Sequence, residues 1–86
     1  VAPNPFNPSA TIRFSLPQRM PVTAEVWSVT GAKVRVLANG RPFAAGENEL
    51  RWNGRNDSGE PVASGVYFVR VSTELGEKVT RAVLLK

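Results

Sequence analysis

Short runs of alternating apolar and polar residues, each ended by glycine, proline or asparagine, constrain this chain more than any other feature. In the run 11–16, Ile12, Phe14 and Leu16 share one face, and the residues between them are polar. The run 22–29 repeats the pattern. A two-residue period is typical of a strand with one buried face, so the chain is predicted to fold as strands around a common core.

Further strands are predicted by the same criteria, and no segment has the period of an amphipathic helix. Trp52 shares a face with Asn48 and Leu50, which makes Trp52 the predicted centre of the core. The pair Asn39-Gly40 is predicted to separate two strands. A spacing of about 8–12 residues favours an all-β, antiparallel sandwich of about seven strands. The further strands are predicted at 33–37, 44–52, 65–73 and 78–85.

The chain is predicted to contain one domain with a short lead-in. Residues 1–9 are rich in proline, which holds the backbone extended, and are expected to form the first edge of the fold. Residues 10–86 are predicted to form a single β-sandwich domain, because a chain of 86 residues has room for only one core. No apolar run approaches the roughly 20 residues of a membrane-spanning helix, and any export signal would lie upstream.

Histidine and cysteine are both absent. Without an imidazole a serine nucleophile lacks its usual base, and without thiols neither a disulfide nor a thiolate metal site can form. The acidic residues are spread over strand faces and turns. No enzyme activity, cofactor or metal is therefore expected. The net charge of +4 is scattered over the predicted strands, so no nucleic-acid partner is expected.

The segment 53–61 is dense in residues that tolerate positive φ or bond to their own backbone. Asp57 and Glu60 suggest a calcium site as an alternative. Calcium prefers six to eight oxygen ligands, and Asn53 and Asn56 are neutral. The interpretation favoured for this segment is a turn capped by its own side chains.

Three residues on the predicted strands are candidates for more than packing. Trp27 is taken as the one aromatic residue that alternation places outside the core, where it could stack on a sugar or, as is favoured, pack under Phe6 or a long loop. Tyr67 is expected in the core with its hydroxyl bonded to a loop. Gly65 is expected where φ is positive or where a side chain would meet a neighbouring strand.

The last predicted strand carries apolar residues on both faces. Arg81 and Lys86 bracket the run 82–85, and only one face of that run can fill the core of a small sandwich. If the strand lies at a sheet edge, its unpaired backbone groups beside apolar side chains could be bound by strand addition.

Several blocks of the chain together match one family pattern. They are Pro3-Asn4-Pro5-Phe6, Trp52-Asn53-Gly54 with Ser58-Gly59, Ser64-Gly65-Val66-Tyr67-Phe68 and the lysine-ended terminal strand. This pattern resembles the type A C-terminal domain of cargo proteins of the type IX secretion system, over nearly the whole chain. It is also similar to the immunoglobulin-like domain of the flagellar hook-capping protein. The fold that the resemblance implies is an immunoglobulin-like β-sandwich. This chain departs from the family pattern at Asn53 and Asn56, where members of the family commonly carry aspartates.

The resemblance implies a non-catalytic C-terminal domain of a larger secreted protein, recognised for export across the outer membrane and then attached to the surface or released. The implied partners are outer-membrane secretion machinery proteins and an upstream catalytic domain of the parent chain, without membrane insertion. The implied location is the periplasm in transit, then the cell surface or the medium. The positions expected to carry recognition are Pro3, Asn4, Pro5, Phe6, Gly65, Tyr67, Arg81, Leu84, Leu85 and Lys86.

Two other functions remain open. The domain could be an accessory module of an extracellular hydrolase that binds carbohydrate through Trp27 or spaces the catalytic unit. It could instead be a structural assembly domain of the hook-cap type, in which contacts between subunits matter. Sorting is favoured if Lys86 is the true end of the protein. Deletion of residues 83–86 is then expected to abolish export and to leave most of the sandwich folded.

Overall fold

The computed structural model describes residues 9–85, which form six β-strands. The alternation predicted for the first strand is confirmed, because Ile12 and Leu16 are buried and the polar residues between them are exposed. The six strands are β1 Ala10–Leu16, β2 Met20–Ser28, β3 Lys33–Phe43, β4 Gly46–Trp52, β5 Gly65–Thr73 and β6 Gly76–Leu84.

The strands pair into two antiparallel sheets. One has four strands in the order β3-β2-β5-β6, and the other contains β1 and β4. The predicted antiparallel sandwich is confirmed with six strands instead of about seven. The predicted first edge falls in residues 1–9, of which residues 1–8 lie outside the described part of the chain. No helix within residues 9–85 is long and apolar enough to cross a membrane.

At Asn39-Gly40, where the sequence predicted that one strand ends and another begins, β3 continues through a β-bulge. Ala24 of β2 pairs with Ala38 and Val22 pairs with Arg41, so two residues of β3 oppose Thr23 alone. Gly40 adopts a φ of 65°, and its N–H donates to the Thr23 hydroxyl at 3.0 Å. The prediction was wrong because a β-bulge absorbs the extra residue without ending the pairing.

The core lies between the two sheets and is centred on Trp52, as predicted. Trp52 is fully buried, and its indole N–H donates to the carbonyl of Arg55 at 2.9 Å. The Tyr67 ring packs edge-on against it, with 5.0 Å between ring centroids. The Tyr67 hydroxyl donates to the carbonyl of Ala63 at 2.7 Å, so the predicted loop partner is confirmed. The buried hydrophobic residues are Ile12, Leu16, Met20, Val22, Ala24, Val26, Ala38, Phe43, Leu50, Trp52, Tyr67, Val69, Val71, Ala82 and Leu84.

The two sheets separate along β6. On its inner face Ala82 and Leu84 are buried, but Lys78 and Thr80, nearer the start of the strand, are exposed. The strand therefore helps to close the core only over its last residues. A groove of about 420 Å³ lies between β1 and the first half of β6.

Candidate functional site

β6 is an edge strand of the four-stranded sheet. It pairs with β5, and no other described strand pairs with its second side. Its outward-facing residues Val79 and Val83 are 56% and 50% exposed, and Leu85, just beyond the strand, is 77% exposed. Unpaired backbone groups beside exposed apolar side chains form a surface to which an extended segment can add. We call residues 77–85 the β6 edge and treat it as the candidate functional site.

The outer face of the sheet continues this surface away from the β6 edge. Phe68 of β5 lies between Trp27 of β2 and Arg81 of β6 in one cross-strand row. Val66 and Val83 form the next row. Together the two rows combine exposed apolar side chains, the half-buried Trp27 and one guanidinium, a composition suited to contact with protein.

Phe68 also corrects one prediction from the sequence. Its side chain is on the outer face and is 37% exposed, so Trp27 is not the one aromatic outside the core. The signal was present in the sequence, because Phe68 alternates with the buried Tyr67 and Val69. The predicted site did not include Phe68 or Val79, since sequence patterns show which residues face outward but not which strand forms an edge.

Trp27 is half-buried on the outer face, near two cations. The guanidinium carbon of Arg70 lies 5.2 Å from the indole ring centroid, and Lys33 Nζ lies 5.8 Å from it. Both distances are within the cation–π range, so a sugar would compete with these side chains for the ring. The indole Nε1 is buried and has no hydrogen-bond partner among the described residues. Ligand stacking by Trp27 stays a prediction, and its packing against Phe6 lies outside the described residues.

The groove next to the β6 edge is lined by both apolar and charged residues. Phe14, Val71 and Leu75 are among the apolar ones, and Glu47 and Lys78 are among the charged ones. Because β1 and β6 are separated here, the first half of the β6 edge faces an open space instead of a packed neighbour.

The loop 53–61 is held by its own side chains, which confirms the self-capped turn. Asn56 Oδ1 accepts hydrogen bonds from the backbone N–H groups of Ser58 and Glu60, both at 3.0 Å. Asp57 Oδ1 accepts a bond from the N–H of Val36 at 3.0 Å, which ties the loop to β3. Residues 9–85 contain no group of three or more side chains that could hold a metal ion.

The predicted recognition residues fall into three sets. Gly65, Tyr67 and Leu84 belong to the fold: Gly65 has a φ of 150° at the start of β5, and Tyr67 and Leu84 are buried. For Gly65 the positive φ is the reason, since an added Cβ would meet nothing within 4 Å. Arg81 and Leu85 are exposed on the β6 edge. The other predicted recognition residues, outside the described part of the chain, are Pro3, Asn4, Pro5, Phe6 and Lys86.

Solved structures of two FlgD proteins are similar to this fold. FlgD from Xanthomonas campestris, whose structure is described as giving insights into the hook capping essential for flagellar assembly, is 22% identical with a TM-score of 0.64, over 92% of this chain and 57% of that one. FlgD from P. aeruginosa is 21% identical with a TM-score of 0.66, over 88% of this chain and 61% of that one. At such identities the likeness shows the fold alone.

The chain therefore spans about three fifths of the FlgD structures that it matches. No curated protein matches it. The family described as the FlgD Ig-like domain matches residues 6–77. This match covers most of the chain and agrees with the immunoglobulin-like sandwich expected from the sequence. The chain belongs to the family of FlgD Ig-like domains.

Proposed function

We propose that this chain is a non-catalytic structural domain of a larger protein and that it holds protein–protein contacts in an extracellular assembly of the hook-cap type. The observation that carries the proposal is the β6 edge: a strand that pairs with no other described strand on its second side and carries exposed valines, on a sandwich of the FlgD Ig-like family. The matched FlgD structure is described as giving insights into hook capping, and we extend an assembly role of that kind to this chain.

The side chains of the domain are better suited to protein–protein contact than to catalysis. The sequence contains no histidine. Among the described residues, Glu49 lies 3.2 Å from Arg13, and Glu25 lies 3.3 Å from Lys33. These carboxylates form ion pairs with cationic side chains on the sheet surface. They do not converge in an enclosed pocket, as a catalytic acid–base pair would.

Site-specific photo-crosslinking in the organism that carries the parent protein tests this role. A photoreactive residue at Val83 reports on the β6 edge, and one at Thr30, in the exposed turn after β2, serves as the control. We expect Val83 to crosslink to a structural subunit of the same assembly, and Thr30 to crosslink far less. Equal or absent crosslinking at the two positions would contradict the proposal.

Type IX sorting is a second candidate, favoured by two observations. The exposed Val83 and Leu85 accompany the free edge of β6, and the Pro3–Phe6 block resembles that of cargo domains of that system. In this case the partner would be the outer-membrane secretion machinery, and Val83 would crosslink to one of its components. The parent protein would pass through the periplasm to the cell surface or the medium.

A reporter fusion separates the two candidates. Residues 1–86, placed behind a signal peptide and a fluorescent protein, would be expressed in matched strains with and without the type IX machine. Surface or medium fluorescence only with the machine present would support sorting. Fluorescence trapped in the periplasm of both strains would leave the assembly role as the better explanation. The variant Leu85→Asp, at a 77% exposed position, should block sorting without unfolding the domain.

A further inference from the structure

We propose that the chain forms a two-fold symmetric homodimer in which β6 pairs antiparallel with β6 of a second copy, with Val79 of each copy at the axis. This dimer supplies a partner for the assembly surface described above, and it rests on that role. The observation behind it is the order of the outward-facing side chains along β6. When β6 pairs antiparallel with a copy of itself about Val79, this order places opposite charges across from each other and an apolar side chain across from its own copy.

The outward-facing residues alternate between apolar and charged. In chain order they are Glu77, Val79, Arg81 and Val83, each opposite an outward-facing residue of β5. Antiparallel pairing about Val79 therefore sets Glu77 opposite Arg81 of the second copy, and Val79 opposite Val79 of that copy. Each outward-facing charge of the strand meets an opposite charge, and the apolar side chain at the axis meets its own copy.

Neighbouring registers do not have this property. An axis at Glu77 or at Arg81 places two like charges directly opposite each other. An axis at Lys78 places Glu77 opposite Val79, and an axis at Thr80 places Arg81 opposite Val79, so in each case a charge meets an apolar side chain. Opposite charges across an antiparallel pair are favourable and like charges are unfavourable, so the axis at Val79 is selected over the other four.

The part of β6 that carries the axis is accessible. Residues 76–78 and Thr80 border the groove of about 420 Å³, so β1 does not cover this part of the strand. Within residues 9–85, β5 is the one strand that pairs with β6. The N–H and C=O groups on the free side are the groups that a second β6 would satisfy.

Within residues 9–85, Glu77 forms an ion pair with Arg70 of its own domain. Its carboxylate lies 3.7 Å from the Arg70 guanidinium, and both side chains are about half exposed. Exposed ion pairs of this kind are weak, so Glu77 remains available to Arg81 of the second copy. In the dimer Glu77 would lie between two arginines, one from each copy.

Sedimentation equilibrium of the 86-residue chain tests the dimer directly. Pairing through one strand gives an interface below the standard size, so association should be weak, and loading concentrations from about 10 µM to about 1 mM are needed. The mass should rise from 9.3 kDa toward twice that value. A mass of 9.3 kDa at every concentration would overturn the proposal.

Complementary charge reversal tests the register. Glu77→Arg and Arg81→Glu each place like charges opposite one another twice, so each variant alone should dimerise at least about tenfold more weakly than the natural chain. An equimolar mixture should recover the dimer, because the heterodimer restores both opposite-charge pairs. Both side chains are exposed, so thermal unfolding should be almost unchanged.

Arg51→Glu, a reversal on the exposed face of β4, is the matched control and should dimerise like the natural chain. A mixture that stays monomeric, or single variants that dimerise normally, would overturn the register. Sedimentation measures self-association alone, whereas crosslinking at Val83 identifies other partners. Failure of the dimer is therefore distinguishable from failure of the assembly role.

Discussion

At the residue scale, Tyr67 combines two interactions that substitutions can separate. Its ring packs on Trp52, and its hydroxyl bonds to the Ala63 carbonyl. Tyr67→Phe keeps the ring and loses one hydrogen bond, so the free energy of unfolding should fall by about 0.5–1.5 kcal/mol. Tyr67→Ala also leaves a cavity and should cost about 3–5 kcal/mol. Urea denaturation measures both, and equal losses in the two variants would contradict the dominant role of the ring.

Asn56 caps the loop through its side-chain oxygen. Asn56→Ala removes the acceptor for the N–H groups of Ser58 and Glu60 and should lower the free energy of unfolding by about 1–2 kcal/mol. Asn56→Asp keeps the acceptor and should retain most of the stability. The thermal unfolding midpoints of both variants distinguish a capping residue from one that is only exposed. An exposed residue without a capping role would give the same midpoint with alanine as with aspartate.

At the element scale, the bulge in β3 depends on backbone conformation at Gly40. An added Cβ meets nothing within 4 Å, so substitutions there act through the φ of 65° alone. Gly40→Val should cost about 1–2 kcal/mol, because β-branched residues are disfavoured at positive φ. Gly40→Asn should cost less, because asparagine tolerates this region. Chemical denaturation gives the comparison, and equal losses would show that φ is not the cause.

The positions of the strands were largely predictable, because each strand shows a two-residue alternation of apolar and polar residues in its own sequence. Alternation gave β1 and the buried face of β2 correctly, and it gave Trp52 as the core centre. The bulge at Asn39-Gly40 was missed, because an Asn-Gly pair is also typical of the end of a strand. Only the pairing with β2 distinguishes a bulge from a strand end here. Which strand lies at an edge, and hence the exposure of Val79, depends on contacts between distant segments that periodicity does not encode.

At the scale of the whole molecule, the last described strand both stabilises the core and forms the proposed recognition surface. Leu84 is fully buried and pairs with Gly65, whereas Leu85 is 77% exposed. Deletion of residues 83–86 therefore removes a core side chain together with the end of the β5–β6 ladder. The expectation that most of the sandwich survives this deletion conflicts with the burial of Leu84.

The truncated chain should be far less stable than the full chain. A domain of this size is held by about 5–10 kcal/mol, and removing a buried leucine side chain alone costs about 2–5 kcal/mol. Leu85→Ser, at an exposed position, should change the free energy of unfolding by less than about 0.5 kcal/mol. Circular dichroism during thermal unfolding compares the three chains, and an unchanged midpoint for the truncation would contradict the structural role of Leu84. If that role holds, lost export or assembly after truncation would reflect unfolding, and only surface variants such as Leu85→Ser can reveal recognition by the β6 edge.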